Sequence, residues 1–289
     1  RDDETLRVSG MTTRRSIVWL ASYPKSGNTW TRLFLANYLI NASKPVPINE
    51  AHRFAMGDAM VKMYNRVVGR VIDQHDLALC LRLREPVLRA ITANGADVNF
   101  VKTHNARVAP DGVPLIPDHH TRSAIYILRN PLDMVLSYAR HYAITVEDAA
   151  TRICHPDNGN LPTETTVAQY LGSWENHVLS WMGPPAPWPR LLVRYEDLLD
   201  DPETHFGKVL THIGVPIDAD RLRRAIRYSS FDELARQEAT AGFVERPKEA
   251  DRFFRKGRKD QWKTDLAPEL AAMIRQKMGA TMKRYGYLA

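Results

Sequence analysis

Residues 16–40, SIVWLASYPKSGNTWTRLFLANYLI, constrain the fold more than any other stretch of the chain. The apolar run from Ile17 to Ala21 is too short for a membrane span and reads as a buried strand. A polar loop with Pro24, Lys25, Ser26, Gly27 and Asn28 follows, and large residues then recur at 30, 33, 34 and 38, the spacing of a helix. A strand, a turn and a helix in immediate succession aim backbone N–H groups and the positive end of a helix dipole at one point. An anionic group can be held there with little help from side chains. Lys25 adds a full positive charge.

The phosphate loop of nucleoside triphosphatases, G-x-x-x-x-G-K-[ST], is absent, because Lys25 precedes Gly27 and Asn28 follows it; the likeness is one of mechanics. The remainder of the chain limits what such a cradle can serve. With 289 residues, 44% hydrophobic and 25% charged, the composition is that of a soluble globular protein and excludes disordered and membrane classes. The two cysteines, Cys80 and Cys154, lack C-x-x-C or Cys/His spacing, which argues against a disulfide framework or structural zinc site and fits a reducing compartment. A net charge of +7 points to anionic partners: nucleic acid, anionic lipid or a multiply charged nucleotide. The N-terminal RDDETLRVSG has no apolar core of a secretory leader, and Met11 reads as a natural start. The expectation is a cytoplasmic protein with no membrane span, a tail over residues 1–15 and a single domain over 16–289.

Residues 50–94 read mostly as helix, with Phe54, Met60, Met63, Tyr64, Val67 and Val68 packing inward and Pro86 opening a further short helix. Residues 97–102 read as a second strand that delivers Thr103 and His104 at its carboxyl end, the edge on which open parallel sheets bind ligands. A third strand, 123–128, ends in Arg129. Asn130 is a natural N-cap, Pro131 suits the first helical position and Asp133 lies three residues beyond the cap. Magnesium-dependent phosphate-loop enzymes usually carry an aspartate at such a strand end, where this chain has Arg129.

Beyond it the pattern predicts a loop over 155–162, a helix over 166–182 with Tyr170, Trp174, His177 and Trp181 in the core, and a fourth strand over 190–194 leading into Tyr195. Helices near 203–213 and 219–227 follow, then Ser229, Ser230 and Phe231 before a short helix, and a mobile polar loop over 237–251. Arg252 to Lys263 packs six basic residues and three aromatics into twelve positions, with Gly257 allowing close approach to a ligand. Taken alone, that segment suits single-stranded nucleic acid equally well. A final helix spans about 268–284. Strands alternating with helices predict an α/β domain with a mainly parallel sheet and helices on both faces.

YPKSGNTW at 23–30, KTH at 102–104, RNPLDMVLSY at 129–138, YEDL at 195–198, SSFDEL at 229–234 and RKG at 255–257 follow one another in this order. Together they resemble the cytosolic-type sulfotransferases over roughly Ile17 to Lys263. The resemblance implies a fold related to P-loop nucleotide kinases, 3′-phosphoadenosine 5′-phosphosulfate (PAPS) as donor co-substrate, and a hydroxyl or amine of a small-molecule, glycan or lipid acceptor. Nucleic acid is not an implied partner.

It further implies that Lys25, Ser26, Gly27, Asn28 and Thr29 hold the 5′-phosphosulfate, with Lys25 neutralising charge on the bridging oxygen. Trp30 and Phe231 would stack on the adenine, and Tyr195 and Ser229 would contact it. Arg129, Ser137, Arg255, Lys256 and Gly257 would bind the 3′-phosphate. His104 would be the general base and Lys102 would stabilise the transferring group. Because a sulfuryl group carries less negative charge than a phosphoryl group, no metal requirement is implied.

Three departures from the family pattern stand out. Asn28 replaces the first threonine of the pair after the glycine. RKG-x-x-G-D-W-K becomes RKGRKDQWK, so that Asp260 stands at the later glycine and Gln261 at the aspartate. The usual C-terminal dimerisation motif has no match after Lys263, so an oligomer, if formed, is not expected to use it. A phosphoryl-transferring kinase of related fold is the alternative. The segments expected to shape an acceptor pocket, 50–94, 140–165 and 238–252, carry no motif.

Overall fold

Ile17–Ser22, strand β1, is buried along its whole length, which marks it as a central strand covered on both faces. Its side chains alternate: Ile17, Trp19 and Ala21 enter one apolar cluster, and Val18 and Leu20 enter another on the opposite side of the sheet. The computed structural model describes residues 15–246, 252–254 and 257–288.

After β1 come α1 (Asn28–Ile40), α2 (Ala51–Phe54), β2 (Met56–Gly57), α3 (Val61–Val68), α4 (Leu77–Arg82), α5 (Arg84–Thr92) and β3 (Asn99–Thr103). Next are β4 (Thr121–Leu128), α6 (Pro131–Tyr142), α7 (Val146–Cys154), β5 (Gly159–Asn160), β6 (Gln169–Tyr170), α8 (Trp174–Met182) and β7 (Arg190–Arg194). The chain ends with α9 (Tyr195–Asp200), α10 (Pro202–His212), α11 (Ala219–Tyr228), α12 (Phe231–Ala241), α13 (Trp262–Asp265) and α14 (Pro268–Arg284).

The main sheet has the order β2-β3-β1-β4-β7 and is parallel throughout. One face packs against α3 to α8 and α14 through residues such as Val87, Val135, Trp174 and Ile274. The other packs against α1 and α9 to α12 through Phe34, Leu198, Phe206, Leu222 and Leu234. Because β1 lies between β3 and β4, chain crossovers leave its carboxyl end in opposite directions, the place where open α/β sheets form a ligand crevice.

The predicted α/β class, the parallel order and the four strands are present, with β3 and β4 shifted by up to two residues at their ends. The Asn130 cap also holds, its side chain accepting from the backbone N–H of Leu132. Three expectations change. Met56–Gly57 forms a fifth, two-residue strand beside Val101 and Lys102, inside a stretch expected to be helical. The helix expected over 166–182 starts at Trp174, because Gln169–Tyr170 pairs with Gly159–Asn160 and Gly172 takes a φ of 67° before the Ser173 cap. The helix after Ser230 runs on to Ala241, into the stretch read as loop. Residues 247–251, Arg255 and Lys256 lie outside the described residues.

Candidate active site

Lys25 and Gly27 both adopt left-handed backbone conformations, with φ of 68° and 105°, and this turns the chain sharply from β1 into α1. Gly27 is the N-cap of α1 and supplies no side chain, so the first-turn N–H groups of α1 keep no capping partner from it. A Cβ at Gly27 would lie 2.7 Å from Tyr195 Cδ2, so the position also requires glycine for space. Ser26 is buried and its hydroxyl finds no partner among the described residues; the same is true of Arg129 Nε. Unpartnered donors beside an uncapped helix start are the arrangement an oxyanion would satisfy.

Arg129 emerges from β4 next to this loop. Its guanidinium donates to the Lys25 carbonyl at 2.9 Å and lies 4.4 Å from the centroid of the Tyr195 ring. Tyr195, at the start of α9, is set by the strand before it, and the next residue, Glu196, accepts from the Asn130 N–H and the Tyr287 hydroxyl, both at 2.9 Å. Glu196 thereby ties the end of β4 to the C-terminal segment, a role the YEDL motif did not disclose.

His104 follows β3 and lines the same cavity, which has a volume of about 980 Å³. Its Nδ1 lies 2.8 Å from the Ser22 carbonyl oxygen. A carbonyl only accepts, so Nδ1 carries the proton and Nε2 of the neutral ring is left as an acceptor. The backbone behind it is fixed from two sides. His177 Nε2 donates to the His104 carbonyl at 2.9 Å, and Tyr126 and His177 Nδ1 are 2.7 Å apart. Asp58 accepts from Thr103, Asn105 and Arg84 at 2.7, 3.1 and 2.7 Å, locking the residues on either side of His104. Asp58 and Arg84 are both buried, and neither was picked out from the sequence.

The cavity concentrates positive charge. Burial, then Arg129 and Lys102, push the Lys25 ammonium down to about 7. Its Nζ sits 3.9 Å from the Phe253 ring centroid. Burial also lowers Lys102, opposed mainly by Glu245, and lowers His104 well below its usual range, with Lys102 adding to the shift. Glu245 bonds Arg32 at 2.6 Å and lies 3.6 Å from Lys102. Arg32, on α1 and nearly inaccessible, also donates to the Thr29 hydroxyl at 3.1 Å. Arg32 and Glu245 were missed because an arginine in an apolar helix and an acid in a polar loop carry no motif.

At the far end of the crevice Trp30, Tyr195 and Phe231 meet. The Trp30 and Phe231 centroids are 5.1 Å apart and their planes are inclined by 51°. A base between two parallel rings needs about 7 Å, twice a van der Waals stacking distance of ~3.5 Å, so these rings touch each other. Gly257, at φ 50°, backs onto Phe231: a Cβ there would lie 2.2 Å from the ring. Glu238 holds the adjoining residues by accepting the N–H groups of Phe253 and Phe254 at 2.7 and 2.9 Å.

Fourteen residues of the sequence-derived set are described, and nine of them besides His104 and Lys102 line the cavity: Lys25, Gly27, Asn28, Thr29, Trp30, Arg129, Ser137, Tyr195 and Phe231. Ser26 is buried within the loop, and Gly257 reaches the crevice through Phe231. Ser229 is turned away, its hydroxyl donating to the Ala225 carbonyl at 2.8 Å. The Asn28 amide donates to Leu20 O at 2.8 Å and Ser22 Oγ at 3.3 Å, leaving its backbone N–H for the cradle. Among the described residues, the His and acidic side chains close enough to share a metal ion are Glu85, His119 and His120, none of which lines this cavity. No helix among them is long and apolar enough to cross a membrane.

Comparison with known proteins follows the same lines. The flavonol 3-sulfotransferase of Flaveria bidentis is 26% identical over 91% of this chain and 82% of its own length. Sulfotransferase 1 family member D1 of Mus musculus is 24% identical over 90% and 81%. Among solved structures, retinol dehydratase with androsterone and the inactive cofactor PAP superposes with a TM-score of 0.64 at 18% identity, over 93% of this chain and 81% of that one. Mouse SULT7A1 complexed with PAP gives 0.59 at 20% identity, over 95% and 89%. At these identities the structures establish the shared fold. The model of the family described as "Sulfotransferase domain" matches residues 15–286, and with nearly the whole chain inside that match, the protein belongs to the sulfotransferase family.

Proposed function

We propose that the protein transfers a sulfuryl group from PAPS to an acceptor hydroxyl, with His104 as general base and Lys25 and Lys102 stabilising the charge that moves. The observation that carries the assignment is the His104 Nδ1 to Ser22 carbonyl bond, which presents Nε2 as the acceptor nitrogen beside the Lys25 cradle. PAP in the sites of two structurally similar proteins, retinol dehydratase and mouse SULT7A1, supports the choice of donor. Androsterone and retinol in the former support a small organic acceptor.

The donor supplies an S–O bond to a phosphate that can leave. In the step, His104 Nε2 takes the acceptor O–H proton while the acceptor oxygen forms a bond to sulfur. The electron pair of the breaking S–O bond stays on the phosphate oxygen. Lys25, Lys102 and the first-turn N–H groups of α1 are preorganised for that growing charge, each such donor being worth about 3 kcal/mol by analogy with oxyanion holes. On this reading Trp30, Tyr195 and Phe231 would face the adenine, and Arg129 and Ser137 the 3′-phosphate; Arg255 and Lys256, expected at the 3′-phosphate, lie outside the described residues.

Calorimetry with PAP in the absence of magnesium tests the donor assignment. Micromolar or tighter binding is expected. Preference for ATP with magnesium over PAP would favour the kinase alternative and overturn the assignment.

A further inference from the structure

The acceptor side of the cavity carries an unbalanced charge. Its ionisable lining includes two acids, Asp58 and Glu245, among the described residues. Both are matched internally: Asp58 by Arg84 at 2.7 Å and Glu245 by Arg32 at 2.6 Å. The cations Lys62 and Arg152 line the outer part of the cavity, are exposed, and make no ion pair among the described residues. Arg246 also lines the cavity and lies 3.9 Å from Glu238.

These cations flank one structure. The β5–β6 hairpin is joined to the start of α3 by the Val61 N–H to Thr165 carbonyl bond of 2.9 Å, which sets Lys62 on one side. Arg152, in the last turn of α7, leads into the turn that opens the hairpin, and its charge acts on the Tyr138 and Tyr142 hydroxyls inside the cavity. The hairpin itself offers Asn160 and Gln169, bonded to each other at 2.8 Å, and Thr163, Thr165 and Thr166 as neutral hydrogen-bonding groups.

Resting on the sulfotransferase reading above, we infer that the acceptor is an anionic alcohol: a molecule whose reacting hydroxyl approaches His104 while a carboxylate, phosphate or sulfate group on its outer part pairs with Lys62 and Arg152. A neutral acceptor would leave two cations at the mouth without an ion-pair partner among the described residues. An acidic one gains their field in a partly enclosed site, where such pairs are screened less than on an open surface. Acidic saccharides and acidic amphiphiles share this chemistry.

The test compares kcat/KM for two acceptor pairs that differ by one anion: a glucuronate-containing disaccharide against its neutral glucose counterpart, and a hydroxy fatty acid against the diol of equal length. The acidic member of one pair is expected to be favoured by roughly tenfold at low salt, as two partly exposed ion pairs predict. The preference should shrink at high salt and vanish in the K62E/R152E double variant. The pair in which it appears identifies the source. Binding of both acidic members to the PAP-loaded enzyme, followed by calorimetry, gives a readout independent of turnover. Equal or better use of the neutral members, or binding and preference untouched by charge reversal, would overturn the inference. PAP affinity separates the two levels: intact PAP binding without acidic preference sinks only the acceptor class, whereas absent PAP binding sinks the donor reading.

Discussion

His104 Nδ1 is 2.8 Å from the backbone oxygen of Ser22, so the imidazole of one strand end is oriented by the main chain of its neighbour. The bond crosses from β3 to β1, whose register pairs Ala21 with Thr103. Replacing the ring should therefore remove the base without disturbing the cradle. His104→Ala is expected to keep PAP affinity within about twofold and lower kcat by a hundredfold or more, as general-base losses do. Unchanged turnover would remove His104 from the reaction.

Lys25 predicts a proton signature. With its folded-state value near 7, the free ammonium is largely neutral by about pH 8, and a bound anion restores its charge. Calorimetry in buffers of different ionisation enthalpy should report uptake of close to one proton per PAP at about pH 8 and close to none at about pH 6. The same shift acts on folding. Because the folded-state value is lowered from 10.5 to about 7, the unfolded chain binds more protons between these limits, and the Lys25 contribution to stability rises with pH across that window. A pH-independent proton count would contradict the placement of Lys25.

Gly27→Ala tests the turn. The new methyl group meets Tyr195 at 2.7 Å, and φ of 105° is strained for any L-residue. A loss of about 1–3 kcal/mol in folding stability is expected, with PAP affinity reduced at least tenfold. Thermal unfolding with and without PAP measures both.

Asp260 offers a test in the opposite direction. It holds a φ of 64° at the position where the sulfotransferase pattern has glycine, and its N–H donates to Asp133 at 2.7 Å. The backbone conformation that glycine would serve has been kept after the side chain changed, which aspartate tolerates better than most residues. Asp260→Gly should raise stability by about 0.5–1 kcal/mol. A fall in the unfolding midpoint would show that the Asp260 carboxylate matters more than its backbone.

What could be read in the sequence divides along physical lines. The strands and the cradle were legible because local patterns specify them: five successive apolar residues before a Pro-Lys-Ser-Gly turn, or Asn130-Pro131 with Asp133 at a helix start. Met56–Gly57 was not, since two residues have no period and the strand exists only through its pairing with Val101 and Lys102. Arg32, Asp58, Arg84 and Glu245 were hidden for a related reason. Their roles lie in contacts spanning up to 213 residues of chain, as between Arg32 and Glu245, which no local pattern records. Trp30 and Phe231, expected to stack on the adenine, both line the cavity, yet the distance between them depends on how α1 and α12 pack.

That distance bears on where donor selectivity resides. Trp30 and Phe231 shield one another, with Phe206 backing Trp30 at 5.4 Å. A purine arriving between them replaces an existing ring contact, so its apolar gain is offset by the contact it breaks. On the proposed reading the nucleobase would then act mainly as a wedge. Discrimination shifts towards the two anionic ends of the donor, and analogues lacking a 3′-phosphate should lose far more affinity than analogues with an altered base. Opening the aromatic pair would also change the surroundings of the Trp30 indole, making its fluorescence an intrinsic reporter of donor entry.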